Sequence, residues 1–215
     1  MPPIFLASPW GGVFWLVAVL ATITFHEFFH ALAAYGLGDQ TPKAEGRVTL
    51  FPFPHIDPLG LFLILLFGVG WAKPVKFDPA SLRFPNFGST IVALAGPLAN
   101  ATLLIITVAV AKAIIAFTGS PLTLNIGILL QSFIIINSLF FVINLIPLPP
   151  FDGSKFLLDM LQKFNLHAVS EFLSKNGQYI VVALLLLDAL SGFGIVGRFV
   201  GQITSWFSQF LIIAS

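Results

Sequence analysis

Phe25-His26-Glu27-Phe28-Phe29-His30-Ala31 places three ionisable side chains inside one long apolar stretch. His26 and His30 are four residues apart, so on a helix their imidazoles leave one face, one turn apart. Two neutral ring nitrogens so placed can share one Zn²⁺. Glu27, beside them, can take a proton from a metal-bound water. The plain alternative is three unconnected polar residues on a helix. Ionisable groups in hydrocarbon cost several kcal/mol and are as a rule functional, which favours the metal reading.

Two histidines do not close a catalytic zinc site, which as a rule has three protein ligands. Asn144-Leu145-Ile146-Pro147-Leu148-Pro149-Pro150-Phe151-Asp152-Gly153 is the best source of the third. Its prolines forbid regular helix. The segment is therefore expected to be extended, with free carbonyls, and Gly153 to permit the turn that aims Asp152 inward. A surface Pro-Asp-Gly turn is the competing reading. Glu171 is the rival ligand, but it lies outside any expected span and lacks a rigid setting.

These residues need elements to position them. The chain has 215 residues, 57% hydrophobic and 9% charged. So few charges cannot cover a water-facing surface, and lipid must be much of the solvent. A net charge of +1 with no basic run leaves no footprint for nucleic acid. The absence of cysteine excludes disulfides, thiolate catalysis and Cys-based metal sites. Ala31-Leu32-Ala33 mimics a signal-peptidase site, but no Lys or Arg precedes the apolar run, so residues 1–37 are read as retained.

Apolar stretches run from Pro9 to about Leu37, from about Phe87 to Phe117, from Leu124 to Ile146, and over about 178–190 and 195–213. Each of the first three exceeds the roughly 20 residues a spanning helix needs. Leu59 to Ala72 is shorter and suits a re-entrant segment. Residues 154–164 carry Phe156, Leu157, Met160, Leu161 and Phe164 on one face and Lys155, Asp159, Gln162 and Lys163 on the other, which predicts a helix on the membrane surface. The fold expected is an all-α integral membrane bundle: a single domain over 1–215 with five to six spans and a re-entrant hairpin. Its catalytic core covers about 10–155.

HEFFH in the first helix, GPLAN (96–100) in a later one and NLIPLPPFDG (144–153) after the next resemble the site-2 protease family of intramembrane metalloproteases. Residues 70–75 and 92–97 resemble its small single-domain prokaryotic branch. The resemblance covers about residues 20–155 and departs at Phe151, where Leu is common. It implies zinc ligands His26, His30 and Asp152, Glu27 as catalytic base, and a transmembrane protein substrate. It also implies a membrane-associated hairpin after the first helix that guides substrate. Asn144 would hold the substrate or its oxyanion. Asn100 either lines the site or packs between helices.

His26 and His30 lie roughly 24–30 Å along the first helix at 1.5 Å per residue. They meet Asp152 only if 59–72 does not cross. Lys43, Arg47, Lys73, Lys76, Arg83, Lys155, Lys163 and Lys175 then share one side, while Lys112 and Arg198 lie near the other. The positive-inside rule puts that basic side, and the site with it, toward the cytoplasm of a cell membrane. Asn137 is expected to pack, Lys112 and Asp188 to snorkel, and His55 and His167 to be solvated or interfacial. A metal transporter and a non-catalytic helix-binding homologue are the other classes; a base next to a ligand serves neither.

Overall fold

The computed structural model describes residues 10–67, 70–84 and 87–212. The ends of the first and last apolar stretches, Gly68, and Pro85-Asn86 of the polar loop fall outside these residues. Among the described residues eight α-helices follow in order: α1 (Gly11–Gly36), α2 (Thr41–Ala44), α3 (Pro58–Phe67), α4 (Gly88–Thr118), α5 (Leu124–Asn144), α6 (Ser154–Lys163), α7 (His167–Ser191) and α8 (Ile195–Ile212). Among the described residues, α1, α4, α5 and α7 are long and apolar enough to cross a bilayer. The helix α8 runs 18 residues beside them.

The core is where α1, α4 and α5 pack on one another. Ala18, Ala31, Ala34, Ala93, Ala99 and Ala111 are all buried. Small residues let membrane helices approach closely where no hydrophobic force drives them together. Many large apolar side chains point outward, with Ile105 69% and Phe117 94% exposed. That inversion of a soluble core suits lipid as the surrounding medium.

The helix α3 has 10 residues, about 15 Å of rise, against a hydrocarbon core about 30 Å thick. It cannot cross. Asp57 Oδ1 caps it by accepting from Gly60 N at 2.8 Å. The chain then returns without helical structure over 70–78, and Lys73 N donates to the His55 carbonyl at 2.9 Å. So α1 ends, and α4 begins, on the same side of the bundle.

Three expectations change. α7 starts at His167 rather than near 178, because its polar first turns are also helical, with Glu171 and Lys175 paired at 2.6 Å one turn apart. His55 is fully buried within the protein, neither solvated nor interfacial, with Nε2 on the Thr49 carbonyl at 2.8 Å. The segment 145–153 is a run of turns rather than extended chain: Phe151 N donates to Leu148 O at 3.0 Å and Gly153 N to Asn144 O at 2.7 Å.

Candidate metal centre

The chemistry of the site starts from an acceptor that cannot donate, the backbone carbonyl of Phe133 on α5. Asn137 Nδ2 donates to it at 2.9 Å. That leaves Asn137 Oδ1 to accept from Asn100 Nδ2 at 3.2 Å, and turns Asn100 Oδ1 toward His26 Nδ1 at 2.7 Å. His26 therefore carries its proton on Nδ1. His30 is set the same way, its Nδ1 donating to the Val92 carbonyl of α4 at 2.7 Å. Both Nε2 atoms are left as lone pairs, the arrangement that outer hydrogen bonds impose on metal-binding histidines.

Those lone pairs converge. His26 Nε2 and His30 Nε2 are 3.0 Å apart, and Asp152 Oδ2 lies 3.0 Å from the first and 3.2 Å from the second. Three acceptors at such distances repel unless a cation joins them. Donors about 2.0–2.1 Å from a tetrahedral zinc sit about 3.3 Å from one another, so the residues fit that ion. His26, His30 and Asp152 are together the group able to hold a metal among the described residues. Glu171, the rival, is an exposed partner of Lys175 and lies outside this group.

Room for the centre comes from Gly96. A Cβ on it would stand 2.3 Å from His30 Nε2 and 2.7 Å from His26 Cε1. Pro97 follows, buried within α4, with no N–H to give its own helix. Gly153 plays a related part at Asp152, and not the one expected. Its φ is −55°, open to any residue; what excludes a side chain is the Leu145 carbonyl, 2.4 Å from where Cβ would lie.

Glu27 is buried, and its Oε2 accepts from Val75 N at 3.1 Å. Asn144 is turned onto its own helix, Nδ2 donating to Phe140 O at 3.0 Å. Asn100 is fully buried behind His26. Asp159 of α6 accepts from the amide and hydroxyl of Thr90 at 3.1 and 2.7 Å, which ties α6 to the first turn of α4. A cavity of about 230 Å³ opens beside Asp152, lined among others by Lys155, Ser174 and Gln178.

The sequence alone reads Asn137 as packing and assigns no role in the site to Gly96, Val92, Arg47 or Asp159.

The chain is similar to "Putative zinc metalloprotease YwhC" of Bacillus subtilis (strain 168), 34% identical over 153 residues, 68% of each chain. It is also similar to "Putative zinc metalloprotease Rip2" of Mycolicibacterium smegmatis, 30% identical over 211 residues, 95% of this chain and 77% of that one. Rip2 of Mycobacterium tuberculosis (strain ATCC 25618 / H37Rv) is 29% identical over 199 residues, 87% and 73% of the two chains. No protein-family model matches the chain. No solved structure matches it.

Proposed function

The chain belongs to the site-2 protease family of zinc metalloproteases, and from that premise we propose that it hydrolyses peptide bonds of transmembrane protein substrates, with Glu27 as the base. The observation that carries this reading is the meeting of His26, His30 and Asp152 inside a helical membrane bundle, with a buried carboxylate next to the first ligand.

Zinc held by His26, His30 and Asp152 would supply a Lewis acid and lower the pKa of a water to about 7. Glu27 takes the proton of the attacking water and returns it to the leaving nitrogen. His26 and His30 hold their tautomers through Asn100 and Val92 while charge changes hands. Asn144 reaches a substrate oxyanion once its amide leaves the Phe140 carbonyl.

A bond inside a regular helix is shielded, so the substrate must unwind at the site. The non-helical segment 70–78, next to Glu27, offers such a strand the main-chain groups it does not spend on Glu27, Asp39, Arg47 and His55. The site lies toward the cytoplasmic face of a cell membrane, because the basic residues gather at that end.

Glu27→Gln tests the reading. Cleavage of membrane-protein substrates in reconstituted vesicles should disappear while zinc per chain stays at the wild-type level. Cleavage that survives Glu27→Gln would remove the carboxylate from the chemistry.

A further inference from the structure

Arg47 follows α2 and is 3% exposed. Among the described residues its guanidinium meets backbone carbonyls rather than a carboxylate. Nη1 donates to Pro54 O, and Nη2 donates to Lys73 O at 2.9 Å and to Pro74 O. Burying a charge without a counter-ion is costly. Neutral donors would serve for simple packing, so the charge calls for a further reason.

The reason lies in one peptide group. The Pro74 carbonyl that takes Arg47 is one end of the Pro74–Val75 amide, and its other end, Val75 N–H, donates to Glu27 Oε2 at 3.1 Å. A cation on the oxygen of an amide polarises the group and makes its N–H a stronger donor to a carboxylate. Register is fixed on both sides: Lys73 N is held by the His55 carbonyl at 2.9 Å, and Asp78 N by Asp39 Oδ2 at 2.7 Å. Pro74 has no N–H to compete.

We propose that Arg47 is a positioning residue for Glu27, acting through the Pro74–Val75 peptide group to fix one carboxylate oxygen so that Oε1 is left to receive the proton. This rests on the hydrolytic role of Glu27 given above. Lysine is no substitute, because a single ammonium lacks the planar fork that grips several carbonyls at once.

The test is the amide proton shift of Val75 in ¹⁵N-valine-labelled protein in micelles, assigned as the peak lost in Val75→Leu. It should lie downfield in the wild type and move upfield in Glu27→Ala. It should move the same way, by less, in Arg47→Lys and in Arg47→Gln. On a fluorogenic apolar peptide, Arg47→Lys should lower kcat about tenfold or more at unchanged KM. A Val75 shift that ignores Glu27→Ala, or that ignores both Arg47 variants, overturns the proposal. The shift is read without substrate or metal. It therefore decides the contact even if wild-type protein holds no zinc, a result that counts against the protease reading alone.

Discussion

Lone pairs from His26, His30 and Asp152 sit 3.0–3.2 Å apart, and the residues behind them decide that they are lone pairs. Asn100→Ala removes the acceptor from His26 Nδ1 and frees its tautomer. Zinc affinity should fall about 10–100-fold, the usual effect of losing such a partner, measured by competition with a chromophoric chelator. Asn137→Ala should act the same way, more weakly, since it holds only the orientation of Asn100. Gly96→Ala places a methyl group against both rings, so zinc should be lost while the helical circular dichroism of the bundle remains.

His55 supplies a prediction with a sign. Burial pushes its imidazole below the usual histidine range; the Thr49 hydrogen bond and Glu27 act against this, and the charge of Arg47 with it. The folded protein thus keeps His55 neutral, while the unfolded chain takes up a proton below about pH 6.5. Stability is whole above that pH and falls as pH drops through it. The fall in thermal midpoint between pH 7.5 and 5.5 should be smaller in His55→Gln than in wild type. Zinc release from His26 and His30 contributes to both proteins, so their difference isolates His55.

At the scale of elements, the short α6 works as a strut. Its Asp159 occupies the amide and hydroxyl of Thr90 in the first turn of α4. Asp159→Ala should cost about 1 kcal/mol of stability, as the loss of a helix N-cap does, seen as a lower thermal midpoint with zinc retained. Which elements form was legible from apolar length: α1, α4 and α5 lie close to the stretches that predicted them. Where polar residues continue a helix past its apolar part, as at 167–177, length alone gave the wrong start. That His26 and His30 share one face was legible because HExxH carries its geometry in its spacing. The residues orienting them were not, since Asn100 and Val92 meet the histidines, and Asn137 meets Asn100, only across helix–helix contacts that sequence spacing does not encode. Proline content at 147–150 likewise suggested extended chain, because it shows which helix is forbidden and not which turn forms instead.

For the whole molecule, the 10-residue α3 explains how the ends of α1 and α5 and the start of α4 reach one side. Only a chain that turns back between α1 and α4 lets Val92 stand on His30 and Asp152 on both histidines. The protein has no cysteine, so single introduced thiols report topology without background. Ser120→Cys, between α4 and α5, should react with an impermeant maleimide from outside intact cells. Glu45→Cys and Lys163→Cys should react only after the membrane is opened. External labelling of Glu45→Cys and Lys163→Cys, with Ser120→Cys protected until the membrane is opened, would reverse the assignment of the site to the cytoplasmic side.

The proposed three-ligand zinc centre joins α1 to the turns that follow α5. Its most direct measurement is zinc per chain, by mass spectrometry on purified protein, in wild type beside Asp152→Ala. The account predicts about one zinc in the wild type and a marked loss in the variant. Full zinc occupancy in Asp152→Ala, or wild-type protein that binds no divalent metal, would contradict it.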